Sequence, residues 1–269
     1  MIPNILSIAG SDPSGGAGIQ ADIKAISANG GYAMAAITAL TAQNTKGVRG
    51  FTIVPPDMIR AQIEAIRDDI RIDAIKIGML GDPETVRTVA GLLKTIDAPV
   101  VLDPVMVAKG GDRLLAEEAV AALRELLLPR AAILTPNLPE AGDLLSQEPA
   151  DDIESMRAQG EALLALGCKA VMMKGGHLAG DTDATDLFVT ANGALELSAP
   201  RTETRNTHGT GCTLSSALAT GLGFRLSPIE AAQRAKAYIG AAIAGADTLS
   251  VGEGQGPVHH FHGLGIGTA

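Results

Sequence analysis

Short apolar runs alternate with longer amphipathic stretches along most of this chain. Ile5-Leu6-Ser7-Ile8-Ala9 reads as a strand that opens onto a glycine-rich loop, and Ile19 to Ala28 follows with helical spacing. Met34 to Leu40 is a second strand candidate, and Phe51 to Val54 a third that stops at Pro55-Pro56. Asp57 then stands where an N-cap belongs, ahead of apolar positions at Met58, Ile59, Ile63, Ile66 and Ile70. Ala74 to Gly78 is a strand, and Asp82-Pro83 opens the next helix in the N-cap/N1 pattern. Val100 to Asp103, Ala132 to Thr135 and Ala170 to Met173 are further strands. Helical stretches from about Ala116 to Leu127, Asn137 to Leu145 and Asp152 to Leu166 lie among them.

The pattern then changes. Thr185 to Thr190 and Ala194 to Leu197 flank Asn192-Gly193, a hairpin signal. Two Ala- and Gly-rich helices follow, Gly211 to Leu222 and Pro228 to Ala246, and then a glycine-rich tail, Val251 to Ala269. Strand–helix alternation over the first 175 residues predicts an α/β fold, a mostly parallel sheet with helices on both faces. The hairpin adds an antiparallel edge. No linker or repeat interrupts the chain, so a single domain over 1–269 is expected. In such folds the site lies outside the carboxyl ends of the strands.

Composition narrows the function. Lys plus Arg is 21 and Asp plus Glu is 30, a formal charge of −9, with 2% aromatics. An acidic surface does not suit phosphate backbones, and six aromatics cannot supply base-stacking platforms as well as a core, so nucleic acid is not an expected partner. Two cysteines make no disulfide framework. Without a basic leader or an apolar run of ~18 residues, a cytoplasmic protein away from membranes is expected.

Five segments carry candidate chemistry. Asn206-Thr207-His208-Gly209-Thr210-Gly211-Cys212 opens onto an Ala-rich helix, and such a turn offers bare amides and a helix dipole to an anion. A thiol in a first helical turn tends toward a lower pKa. The same residues also read as a glycine-rich cap over a buried cysteine. Asn137-x-x-Glu140, with Asp103 at another strand end, suits Mg²⁺; Asn137 and Glu140 equally fit a capping box. Gly16-x-Gly18-x-x-Ala21 imitates a dinucleotide fingerprint but has no acidic ribose partner between Asp22 and Asp57, and no Gly-Lys pair exists for a P-loop. Lys174-Gly175-Gly176-His177 leaves a strand with a cation and free amides. Lys236, and the cluster His259, His260 and His262, read as a solvated lysine and a solvated tail.

Taken together and in order, these segments resemble a known family. Gly10-Ser11-Asp12-Pro13-Ser14-Gly15-Gly16-Ala17-Gly18-Ile19-Gln20-Ala21-Asp22, Thr41 to Thr45, Lys76-Ile77-Gly78-Met79, Leu102 to Met106, Thr135 to Glu140, Lys174 to His177, His208 to Cys212 and the closing Gly256 to His262 match the bifunctional hydroxymethylpyrimidine/phosphomethylpyrimidine kinases of thiamine biosynthesis. These lie in the ribokinase-like superfamily. Pro13 departs from the serine expected there. The resemblance implies ATP- and Mg²⁺-dependent phosphorylation of 4-amino-5-hydroxymethyl-2-methylpyrimidine (HMP) and then of HMP phosphate, by a homodimer. It implies that Gln43 pairs with the pyrimidine edge and that Gly10, Asp22 and Met79 line that pocket. Gly209, Thr210, Gly211 and Cys212 would form the anion hole with Cys212 as base; Asn137 and Glu140 would serve metal and phosphates, and Lys174 and Lys236 the triphosphate. Asp103 joins Glu140 as a candidate metal ligand on its strand-end position. Pyridoxal kinase, on the same fold, is the alternative; those enzymes usually carry Asp where this chain has Cys212. Gly110-Gly111 makes 107–113 the lid candidate.

Overall fold

The computed structural model describes residues 1–106, 115–176, 178 and 183–264. The lid candidate at 107–113 and His177 lie outside the described residues. In chain order the elements are β1 (Asn4–Ala9), α1 (Gly18–Ala28), β2 (Tyr32–Ile37), β3 (Ala39–Asn44), β4 (Gly47–Ile53), α2 (Pro56–Arg67), β5 (Ala74–Ile77), α3 (Pro83–Leu93) and β6 (Val100–Leu102). They continue with α4 (Glu117–Leu126), β7 (Ala131–Leu134), α5 (Leu138–Leu145), α6 (Ile153–Ala165), β8 (Ala170–Met173), β9 (Asp183–Thr190), β10 (Gly193–Pro200), α7 (Thr210–Gly223) and α8 (Pro228–Ala244).

The main sheet has the order β10-β9-β8-β7-β6-β5-β1-β2, parallel from β2 through β8 and closed by the antiparallel β9–β10 hairpin. Its central strands are apolar on both faces because helices cover both. Leu6, Ile77, Leu102, Leu134 and Met173 face one layer with Ile59 and Ile63 of α2, Val89 of α3 and Leu144 of α5. Ile5, Val101, Ile133 and Met172 face the other, with Ile26 of α1, Leu218 of α7 and Ala235 of α8. Truncating one of these, Leu102→Ala for example, costs about 2–5 kcal/mol by lost burial and the cavity left behind. β1 has β2 on one side and β5 on the other, so the chain reverses direction across the sheet there. That reversal opens a crevice at the carboxyl ends of β1 and β5.

Three expectations are corrected. Met34 to Leu40 is not one strand. The chain leaves the sheet at Thr38, whose buried hydroxyl donates to the Met79 carbonyl (2.6 Å), and β3 pairs with β4 in a separate two-stranded antiparallel sheet. Asp57 is not an N-cap; Pro56 presets the helical φ, the helix begins there, and Asp57 adds charge to its first turn. The tail from Gly256 to His260 is not solvated. It runs beside His208, and Val258 and His260 are buried. Asp82 caps α3 as its pattern predicts, and Asp152, the start of the expected helical stretch, turns out to cap α6.

Candidate active site

The carboxyl ends of five parallel strands and the first turn of α7 converge on one region. The loop after β1 is organised by Asp12. Its Oδ1 accepts from Ser14 N (2.9 Å) and Ser14 Oγ (2.7 Å), and its Oδ2 from Gly16 N (3.2 Å) and Ala17 N (2.8 Å). His208 Nε2 also lies 2.8 Å from Oδ2. Burial works against this carboxylate's charge, but the hydrogen bonds from His208 and Ser14 outweigh it and hold Asp12 down to about 2. Gly209 caps α7 at φ 77, and a Cβ there would fall on the Gly16 carbonyl oxygen. The two glycine-rich turns therefore fit against each other at a point with no room for a side chain.

Gln43, Gly10 and Met79 come together beside them. A β-bulge between Ala42 and Gln43 turns the glutamine, whose Nε2 lies 3.4 Å from His208 Nε2. A Cβ on Gly10 would meet Met79 Sδ at 3.0 Å, so the glycine opens the wall that Met79 forms. Asp22 lies deeper than these. It is fully buried on α1, accepting from Ser7 Oγ (2.6 Å), Lys76 Nζ (2.9 and 2.8 Å) and Ser216 Oγ (2.9 Å). It underpins the crevice floor rather than facing the crevice.

On the other side, Lys174 follows β8 and holds its ammonium 3.0 Å from Asp103 Oδ1 and 3.6 Å from Glu140 Oε2. A Cβ on Gly211 would meet Lys174 Nζ at 3.1 Å, so the α7 turn and the lysine are neighbours. The first intrahelical bond of α7 runs from Thr213 N to Gly209 O (2.9 Å), which leaves the amides of Thr210, Gly211 and Cys212 ahead of the ladder. Thr210 N and Oγ1 both donate to Thr207 O. Asn137 and Glu140 form the expected capping box: Glu140 N donates to Asn137 Oδ1 (2.8 Å) and Asn137 N to Glu140 Oε2 (2.7 Å).

Electrostatics separates these groups. Burial pushes the Glu140 carboxyl up to about 7; Lys174 draws it down and Asp103 adds to the rise. Burial also works against Asp103, but Lys174 and Lys76 outweigh it and hold it below the ordinary carboxylate range. Lys174 is held above its ordinary value, because Asp103 and Glu140 more than offset its burial. Glu140 Oε1 lies outside the capping box, and among the described residues Asp103 Oδ2 takes a long contact from Ser215 Oγ (3.4 Å). Two carboxylate oxygens, one just past β6 and one in the first turn of α5, suit a hard cation that takes few protein ligands and keeps its waters.

Cys212 departs from the sequence expectation. Burial pushes its thiol up to about 11; Lys76 draws it down, while Asp22 and Asp103 add to the rise. The helix terminus is present, but desolvation among acidic groups prevails over it. Lys236 departs as well. It is buried, donating to Asp186 Oδ2 (2.8 Å) and Ala184 O (2.7 Å), and Asp186 Oδ1 accepts from Gly175 N (3.0 Å). Lys236 thus reaches the 174–176 turn through Asp186.

The family profile described as Phosphomethylpyrimidine kinase matches residues 12–259. The chain belongs to this family. It is 53% identical to the hydroxymethylpyrimidine/phosphomethylpyrimidine kinase of Salmonella typhimurium over 260 residues, 96% of this chain and 97% of that one. It is 52% identical, over the same shares, to the protein of that name from Escherichia coli K12. Among solved structures, pyridoxal kinase from Staphylococcus aureus in complex with AMP-PCP and pyridoxal superposes with a TM-score of 0.90 at 32% identity. That alignment covers 99% of this chain and 96% of that one.

Within this family member, Asp12, Lys76 and His208 stand in the matching segments without a role assigned to them, and Asp186 stands in none. Lys76 did leave a signal: it is the lone charge in Ala74-Ile75-Lys76-Ile77, a strand buried on both faces. The pairing of Asp12 with His208, 196 residues apart, left none.

Proposed function

We propose that this chain transfers the γ-phosphoryl group of ATP to the hydroxymethyl oxygen of HMP, and then a second one to the phosphate of HMP phosphate, in thiamine biosynthesis. The observation that carries this reading is Lys174. It stands between Asp103, just past β6, and Glu140, in the first turn of α5, and lies against Gly211, so a cation adjoins the turn that carries the unladdered amides of α7. Phosphoryl transfer needs alignment and charge neutralisation more than covalent chemistry.

In this reading Gln43, with a donor and an acceptor, meets the aminopyrimidine edge, and Met79 forms a polarisable wall beside Gly10. The amides of Gly209 to Cys212 receive the transferred phosphoryl oxygens, Lys174 balances their charge, and Asn137 stands beside the nucleotide phosphates. Cys212 accepts the proton of the HMP hydroxyl. Glu140 and Asp103 would hold Mg²⁺, directly or through water, and the ion supplies charge neutralisation at the phosphates. Lys236 acts at a distance, fixing the 174–176 turn through Asp186. The proposal extends to one kinase domain over 1–269, working as a cytoplasmic homodimer. Among the described residues no helix is long and apolar enough to cross a membrane.

Coupled ADP release with HMP, HMP phosphate, pyridoxal and ribose side by side tests the reading. Turnover of the first two, with pyridoxal well below HMP and ribose inert, is expected. A preference for pyridoxal, or no turnover of either pyrimidine, overturns it.

A further inference from the structure

Residues 252–260 supply none of the groups assigned above, yet they touch both halves of the site. At one end Gly254 N donates to Thr45 Oγ1 (3.2 Å) and Gln255 N to Thr45 O (2.8 Å). Thr45 lies in the β3–β4 turn, two residues beyond Gln43. The approach is close: a Cβ on Gly254 would fall on the Thr45 carbonyl oxygen. Further along, Gly256 N donates to Asn206 Oδ1 (3.1 Å), His208 N to Gly256 O (3.0 Å) and Val258 N to His208 O (3.4 Å).

At the far end His259 N donates to Ala242 O (2.9 Å), and the Tyr238 hydroxyl to His260 O (2.8 Å), fastening the segment to α8. His260 is buried, and its Nε2 lies 3.0 Å from Oγ1 of Thr213. Thr213 follows Cys212 and makes the first bond of the α7 ladder. That hydrogen bond ties the tail to the first turn of α7, whose amides at 210–212 precede the ladder.

We propose that His260 is a positioning residue for the anion-binding turn, and that residues 252–260 form a clasp coupling the Gln43 hairpin to it. The inference rests on the function proposed above. Occupation of the pyrimidine side settles the hairpin; through Thr45 and the clasp it settles His208 and the α7 turn. Pyrimidine and nucleotide binding are then coupled, and by linkage each strengthens the other by the same factor.

The test uses the full chain and calorimetric titration of AMP-PCP with and without saturating HMP. HMP is expected to tighten AMP-PCP by about 5-fold or more in the wild type. Gly254→Ala is expected to bring that ratio to within about twofold of one while AMP-PCP binding without HMP is unchanged. Thr45→Val, which deletes one of the two bonds at that end, is expected to fall between. His260→Leu is expected to lower kcat about tenfold for both acceptors, the loss of one buried hydrogen bond, with KM for HMP unchanged. His260→Gln, which keeps a polar atom toward Thr213, is expected to recover most of it. A wild-type ratio of one, equal ratios in wild type and Gly254→Ala, or a His260→Leu loss that glutamine does not rescue overturns the clasp. Failure of HMP to bind the wild type overturns the assigned acceptor as well, and so separates the two readings.

Discussion

Cys212 offers a test in which the two proposed reactions disagree. With its thiol pushed up to about 11 by desolvation, Cys212 is overwhelmingly the neutral thiol at pH 7.5. In the first reaction the acceptor is a neutral hydroxyl that sheds a proton, and a positioned base is worth about 10²–10⁴-fold. In the second the acceptor is a phosphate, already anionic, and needs no base. Cys212→Ala is expected to lower kcat with HMP by about 10² or more and to leave HMP phosphate within about threefold. Cys212→Asp restores a base but sets a carboxylate beside Asp22 and Asp103, facing the incoming phosphate. At ~4 Å and an effective dielectric near 20, each pair of unit charges repels by about 4 kcal/mol, which is about 10³ in rate. This variant is expected to keep part of the first activity and lose most of the second. The wild-type rate with HMP should also climb from pH 7 toward 10 as the thiol ionises, while the rate with HMP phosphate stays flat. Coupled ADP release on both acceptors, run across pH for all three proteins, reads these effects. Equal losses on both acceptors in both variants refute the argument and leave Cys212 a packing role.

Gln43→Ala is expected to lower kcat/KM for HMP by about 5- to 150-fold, the equivalent of about 1–3 kcal/mol, while KM for ATP holds, a polar anchor lost from one side of the site only; steady-state titration of each substrate checks it. For Glu140 the folded carboxyl is raised from 4.5 to about 7, so the native state binds more protons between those values and wild-type stability falls as pH rises through that window. Glu140→Gln should flatten this fall in thermal melts and move the Mg²⁺ dependence of turnover to higher concentration by about tenfold. An unmoved Mg²⁺ titration would leave Glu140 a cap alone. Asp12 has the opposite sign. Lowered from 3.8 to about 2, it contributes about 2 kcal/mol above pH 3.8 that disappears as pH falls through 2. Asp12→Asn should lose that amount in urea unfolding at pH 7, and the gap to wild type should close on acidification.

Much of the architecture was legible along the chain because it is local. Asp82 and Asp152 cap helices, and Asn137 and Glu140 close a capping box, through contacts three residues apart. Asn192-Gly193 turns the β9–β10 hairpin through the freedom of one glycine, at φ 120. The strands read as strands because both faces are covered, so apolar side chains succeed one another without alternation. The same order of strands and helices placed Gly10, Met79, Asp103, Asn137 and Lys174 just past strand ends, on one edge of the sheet.

What the fold alone decided depends on what is packed above each group. Thr38 ends a strand that the apolar pattern carries on to Leu40, because its hydroxyl finds the Met79 carbonyl 41 residues away. Lys236 and His260 look like surface residues by type, but Asp186 meets one and Thr213 the other. A helix terminus predicts a lowered thiol at Cys212; burial beside Asp22 and Asp103 raises it instead. Asp22 reaches Ser216 across 194 residues and Asp12 reaches His208 across 196. Periodicity and capping act within a few residues, whereas desolvation and ion pairing are set by neighbours brought together only on folding. The chain's own order therefore specified the sheet and its site edge, and the tertiary structure set the charge, depth and partners of the groups that work there.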